Sequence, residues 1–169
     1  MTEPQSRTLV PLSRILPTRN LAATLYGTIL ITSVIATLPP DMPPGYAIVA
    51  LIVTAFVFAL AHSWADAMKA SFDAREPLTL RHEARTFRQE WPIVRAAFPS
   101  CLALLVAAAG VYSTATAFWV ATGINVVQLL VWGAEMRRVT GGTPLQIGLA
   151  GLFSGSIGLL LAALKVIVH

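Results

Sequence analysis

Between Arg95 and Glu135 the chain runs for 39 residues without one charged side chain. A membrane's hydrocarbon core, about 30 Å thick, takes about 20 apolar residues as helix. The run is therefore too long for one crossing and about right for two. Its best turn lies near Gly110–Thr114, where Gly, Tyr, Ser and Thr cluster. Three more stretches have membrane length: 21–38, ended by Pro39-Pro40, then 46–68 and 144–168. With the long run divided into 93–111 and 115–136, the sequence predicts an all-α polytopic membrane protein. It has five transmembrane helices in a single membrane domain, residues 1–169. Composition agrees: only 12% of residues are charged, against roughly 25% in soluble domains. The basic flank of the first span resembles a secretion signal, but no A-x-A cleavage site precedes Pro39, so it is read as a retained helix.

Charge sets the expected orientation. Arg7, Arg14 and Arg19 precede the first span. Lys69, Arg75, Arg81, Arg85, Arg88 and Arg95 lie around the connection between spans two and three, and Arg137 with Arg138 follows span four. Eleven of the twelve basic residues thus fall on one side, with Lys165 the exception. Cytoplasmic loops carry such an excess, so the N-terminus is expected in the cytoplasm and the C-terminus outside, in a plasma (inner) membrane. The net charge of +4 is explained by topology, and nucleic acid is not an expected partner. Residues Leu78–Trp91 read as a short amphipathic cytoplasmic helix, with Leu80, Ala84, Phe87 and Trp91 on one stripe.

Polar groups at membrane depth are the candidate functional residues. His62 and Asp66 lie one helical turn apart near the cytoplasmic end of span two. Imidazole with carboxylate suits a divalent transition metal, and histidine also suits proton exchange. Two ligands cannot complete a coordination sphere, so others must come from other helices, water or a second subunit. Asn125, Gln128, Trp132 and Glu135 form a stripe on span four. They suit interhelical hydrogen bonds or a path lining, with Glu135 paired to Arg138. Thr24, Thr28 and Thr32 form a row on span one, where hydroxyls commonly bond back to their own helix. Gly148, Gly151, Gly155 and Gly158 mark a close-packing face on span five, within the protomer or in a dimer. Pro99 is expected to kink span three, with Ser100 satisfying the freed carbonyl. The single cysteine, Cys101, reads as a packing residue. No phosphate loop, G-x-S-x-G or HExxH is present, so an enzyme is not expected.

Five spans with an inside N-terminus and a cytoplasmic element after span two resemble the vacuolar iron transporter family. The stretch Gly133–Leu164, "GAEMRRVTGGTPLQIGLAGLFSGSIGLLLAAL", is similar to that family's last helix pair. The family carries a methionine and, four residues later, a glutamate in span two; His62 and Asp66 stand at that spacing. It also carries an aspartate before a glycine in its first helix, where this chain reads Tyr26-Gly27. The family's glutamate-rich module between spans two and three is represented here only by Glu76, Glu83 and Glu90, with His82. The resemblance implies a homodimer in the lipid bilayer that exchanges iron or manganese for protons. No cofactor would be tightly bound, and the divalent metal would be the cargo. His62 and Asp66 would hold the metal, Tyr26 and Thr28 would line the path with Asn125 and Gln128, and Glu76, His82, Glu83 and Glu90 would draw cations to the cytoplasmic mouth. The alternative expectation is a non-transporting membrane accessory or scaffold subunit.

Overall fold

The computed structural model describes residues 18–75, 77 and 80–168, with side chains for 21–75, 77 and 83–167. Among these residues the chain is helical throughout, in six helices: α1 (Thr18–Thr37), α2 (Pro44–Ala74), α3 (Leu80–Arg95), α4 (Phe98–Ala108), α5 (Thr114–Val139) and α6 (Pro144–Val168). Three segments are long and apolar enough to cross a membrane: Pro44–Ala74, Thr114–Val139 and Pro144–Ile167. Large apolar side chains stand exposed along their outer faces, including Phe56, Leu60, Val127, Val131, Leu152 and Phe153. Exposed apolar surface on that scale belongs against lipid, so the protein is a membrane protein.

The stretch expected to give a full third crossing at 93–111 differs from that expectation. The amphipathic helix does not stop at Trp91 but runs to Arg95, and α4 has only 11 residues, about 16 Å of rise. Glu83–Arg95 and Phe98–Ala108 form a pair bent by 46°, which could serve as one broken span. Proline chemistry explains the break. Pro92 offers no N–H inside α3, and Pro99 sits in the first turn of α4, where a missing N–H costs nothing. Pro99 also cannot donate to the Arg95 carbonyl four residues earlier, and its ring crowds that carbonyl, so α3 ends at Arg95. Ser100 does not repair the break as expected: its hydroxyl donates to Asn125 Oδ1 of α5 at 2.9 Å.

The turn before α5 falls where expected. Gly110 takes a φ of +80°, a left-handed conformation favouring glycine, and the Ser113 hydroxyl accepts from Thr116 N–H as the α5 cap.

Helix α1 packs against α2, α3, α5 and α6, and its Thr28, Ile31, Thr32 and Ile35 are fully enclosed. The Thr28 and Thr32 hydroxyls donate to the carbonyls of Thr24 and Thr28, at 2.8 and 2.7 Å, so each burial is satisfied within the helix. Helix α2 buries a row at every fourth position, small except for Leu51: Ala47, Leu51, Ala55, Ala59, Ser63 and Ala67. That row puts the backbone of α2 close to α3 and α4. Gly151, Gly155 and Gly158 of α6 face Leu130, Leu129 and Val126 of α5, whereas nothing stands within 4 Å of a Cβ on Gly148.

Candidate metal centre

His62 and Asp66 lie one residue ahead of Ser63 and Ala67 on the helical wheel of α2. They therefore flank the buried row rather than join it. The backbone of α1 approaches from one side. A Cβ on Gly27 would stand 2.8 Å from Ile93 Cα and 2.9 Å from the Ile93 carbonyl oxygen. Only glycine permits that contact between α1 and α3. With Ile93 held there, Glu90, one turn earlier on α3, is directed inward.

The face of α3 buried in the protein lies beside the apolar stripe. Thr86, Glu90, Ile93 and Val94 are buried, while Trp91 remains 42% exposed. Phe87 meets Phe56 edge-on at 5.5 Å and Trp91 at 6.2 Å, so the aromatic groups gather on the outer flank.

His62, Asp66 and Glu90 form the one cluster of three metal-ligating side chains among the described residues. One donor atom from each lies within 4.8 Å of the others. His62 Nε2 is 3.9 Å from Glu90 Oε2; the histidine side chain is 49% exposed and the glutamate 3%. Tyr26 of α1 lies over the imidazole, ring centroids 5.7 Å apart and planes 25° from parallel. Stacking fixes the plane of the imidazole without taking either ring nitrogen. These groups, with Ala22 and Ala23, line a groove of about 230 Å³. Asp66 and Glu90 also have partners within the chain.

This donor set suits a small divalent transition metal. Oxygen and nitrogen ligands bind such ions at about 2.1 Å, which puts pairs of donors on one ion at most about 4.2 Å apart. The donors, within 4.8 Å of one another, stand slightly wider than that, so an ion would draw the side chains together. One imidazole and two carboxylates on one side of the ion leave the remaining positions for water or another protein group.

The other sequence candidates are placed as follows. Tyr26 lines the groove; Thr28, Asn125 and Gln128 do not. Thr28 is sealed in the α1 core. Asn125 is fully buried, accepts from Ser100, and accepts from Gln128 Nε2 at 3.4 Å. Glu135 is buried 3.7 Å from Arg138. Glu90, expected at the mouth, stands with His62 and Asp66 in the three-donor group, while Glu83 is half-buried outside it. Glu76 and the side chain of His82 lie outside the described residues. Lys165 was not singled out by any pattern. It is 5% exposed, and its ammonium donates to the carbonyls of Ile35 and Leu38 at 2.8 and 3.2 Å, 4.8 Å from the centre of the Phe118 ring. It caps the carboxyl end of α1, where the helix dipole favours a cation.

No protein family, no curated protein and no solved structure matches this chain.

Proposed function

We propose that the protein carries a divalent transition metal, iron or manganese, across a membrane, with His62, Asp66 and Glu90 as the ion's binding site. The observation that carries this reading is the convergence of those three donors in an open groove beside a membrane-length helix. Carboxylates and a histidine at this depth are expensive unless water or an ion reaches them, and His62 is the member of the cluster open to its surroundings. Imidazole and carboxylate both bind protons as well as metal, so a proton counter-flow is part of the proposal.

Three protein donors leave the coordination incomplete. A path between two copies of the chain would let a second protomer supply the rest. The exposed apolar face of α2, with Val53, Phe56 and Leu60, is the surface available to such a contact. The proposed topology has five crossings, counting α1 and the bent α3–α4 pair. The N-terminus lies in the cytoplasm and the C-terminus outside a plasma (inner) membrane, as the distribution of basic residues favours.

The test is Mn²⁺ or Fe²⁺ flux into proteoliposomes. The wild-type protein should load the vesicles, and His62→Ala, Asp66→Ala and Glu90→Gln should each lose most of the flux. A wild-type protein that binds metal but moves none leaves the accessory-subunit reading. Equal flux in all four proteins removes the three residues from the mechanism.

A further inference from the structure

Beyond Asp66, α2 and α3 enclose a second, larger cavity of about 490 Å³, lined by Lys69 and Asp73 of α2 and by Arg85, Thr86 and Gln89 of α3, with Asp66 on the shared wall. Asp66 and Thr86 are engaged within the chain. Among the described residues, Lys69, Asp73, Arg85 and Gln89 make no ion pair or hydrogen bond with any other group. Two cations and two carboxylates thus surround one cavity, and Lys69, Arg85 and Asp73 do not close on each other. They stand apart by more than ion-pair distance, which leaves room for a ligand between them.

The charges say what that ligand carries. Lys69 and Arg85 match Asp66 and Asp73 in number, so the cavity favours neither a bare cation nor a bare anion. An anion meets a guanidinium fork, which matches phosphate oxygens in pairs, and an ammonium beside it. Asp73 then needs a positive donor on the same ligand. The level in the membrane says where the ligand comes from. From Pro44 to Ala65, α2 has 22 residues without a charge, about 33 Å of helix, which matches the hydrocarbon core. Lys69 and Asp73 follow within two turns, at headgroup depth. Met68 and Phe72 project from α2 beside them, 47% and 85% exposed, where acyl chains would run.

We propose that this cavity binds a phosphodiester bearing a primary ammonium, the phosphoethanolamine headgroup of a lipid, with its phosphate on Lys69 and Arg85 and its ammonium on Asp73. The site adjoins the His62–Asp66–Glu90 cluster through Asp66 but uses other side chains as its contacts, and it goes beyond metal transport.

The test is thermal unfolding and native mass spectrometry of the metal-free protein in detergent. The titrants are dioleoyl phosphatidylethanolamine, the phosphatidylglycerol and phosphatidylcholine counterparts, and the soluble diester glycerophosphoethanolamine as the free headgroup. Phosphatidylethanolamine should raise the melting temperature and remain bound most often. Lys69→Gln, Arg85→Gln and Asp73→Asn should each weaken it about tenfold, the loss of one charge-assisted contact, and Arg85→Lys should recover part of the loss. A response to the free headgroup equal to that for the lipid supports the site with a soluble ligand. Equal stabilisation by phosphatidylglycerol or phosphatidylcholine overturns the proposal, as do substituted proteins that respond like the wild type. The Mn²⁺ affinity of Arg85→Gln should stay within about twofold of the wild type, so failure here and failure of the metal reading are read separately.

Discussion

His62 Nε2 and Glu90 Oε2 stand 3.9 Å apart, although one belongs to the membrane-length α2 and the other to the amphipathic α3. Their meeting depends on how closely α3 lies against α1 and α2. Glycine at position 27 and the small-residue row of α2 make that approach possible.

Gly27→Ala tests that dependence. Its Cβ would press on the Ile93 backbone and on Ala96 Cβ, 3.0 Å away. Overpacking of this kind costs about 1–3 kcal/mol, and relief requires α3 to move outward with Glu90. The substituted protein should melt at lower temperature and bind Mn²⁺ more weakly. Unchanged metal affinity in a destabilised protein would show that Glu90 is placed by something other than this contact.

Lys165→Met should destabilise the fold without touching the metal site. It leaves the Ile35 and Leu38 carbonyls without their donor and removes the contact with Phe118. Losing a partner for buried carbonyls costs about 1–3 kcal/mol. Ile35 lies nine residues beyond Tyr26 on α1, about 14 Å away along the helix, so Mn²⁺ affinity should be preserved. Urea or SDS denaturation paired with a metal titration reads both quantities.

The glycines of α6 should separate cleanly. Gly151→Ala brings a Cβ to 2.9 Å from the Leu130 carbonyl oxygen, whereas Gly148→Ala meets nothing within 4 Å. The first should lose about 1–3 kcal/mol through overpacking. The second should be neutral or gain up to about 1 kcal/mol from helix propensity. Denaturation of the two proteins in the same detergent compares them directly. A loss at Gly148 that vanishes on dilution to the monomer would instead assign that position to a contact between protomers.

Asn125→Leu should cost little. Asn125 accepts from Ser100, yet its Nδ2 is buried without a partner. Removing an unsatisfied donor offsets the loss of one interhelical bond, worth about 0.6 kcal/mol on average in membranes. Ser100 can turn its hydroxyl to its own helix. A loss above about 2 kcal/mol in the same denaturation assay would mean that a buried water or ion completes the site.

Much of the helical architecture was legible because apolar runs of membrane length admit few alternatives. The start of α5, the bounds of α6 and the turn at Gly110 follow from apolar runs and turn residues, whereas α5 continues past the expected residue 136 to Val139. The third crossing was less legible. Hydropathy counts the apolar residues of 93–111 but not the bend ahead of Pro99 that divides them between α3 and α4. His62 and Asp66 stood out as titratable groups at depth. Glu90 was visible but read at the mouth: the stripe through Phe87 and Trp91 gave the lipid-facing side of α3, without saying which polar residue turns toward α1 and α2. A competing stripe, Thr86, Glu90, Ile93 and Val94, was available at helical spacing and carries the carboxylate. Lys165 gave no local signal, since its partners are carbonyls more than a hundred residues away.

The most direct measurement is equilibrium dialysis of Mn²⁺ against the purified protein, with free and bound ion distinguished by electron paramagnetic resonance, for the wild type and for Glu90→Gln. The wild type should bind one ion per three-donor cluster, and Glu90→Gln should bind it about 10- to 100-fold more weakly while melting at a similar temperature. Equal affinity in the two proteins would contradict the assignment of His62, Asp66 and Glu90 as a metal centre.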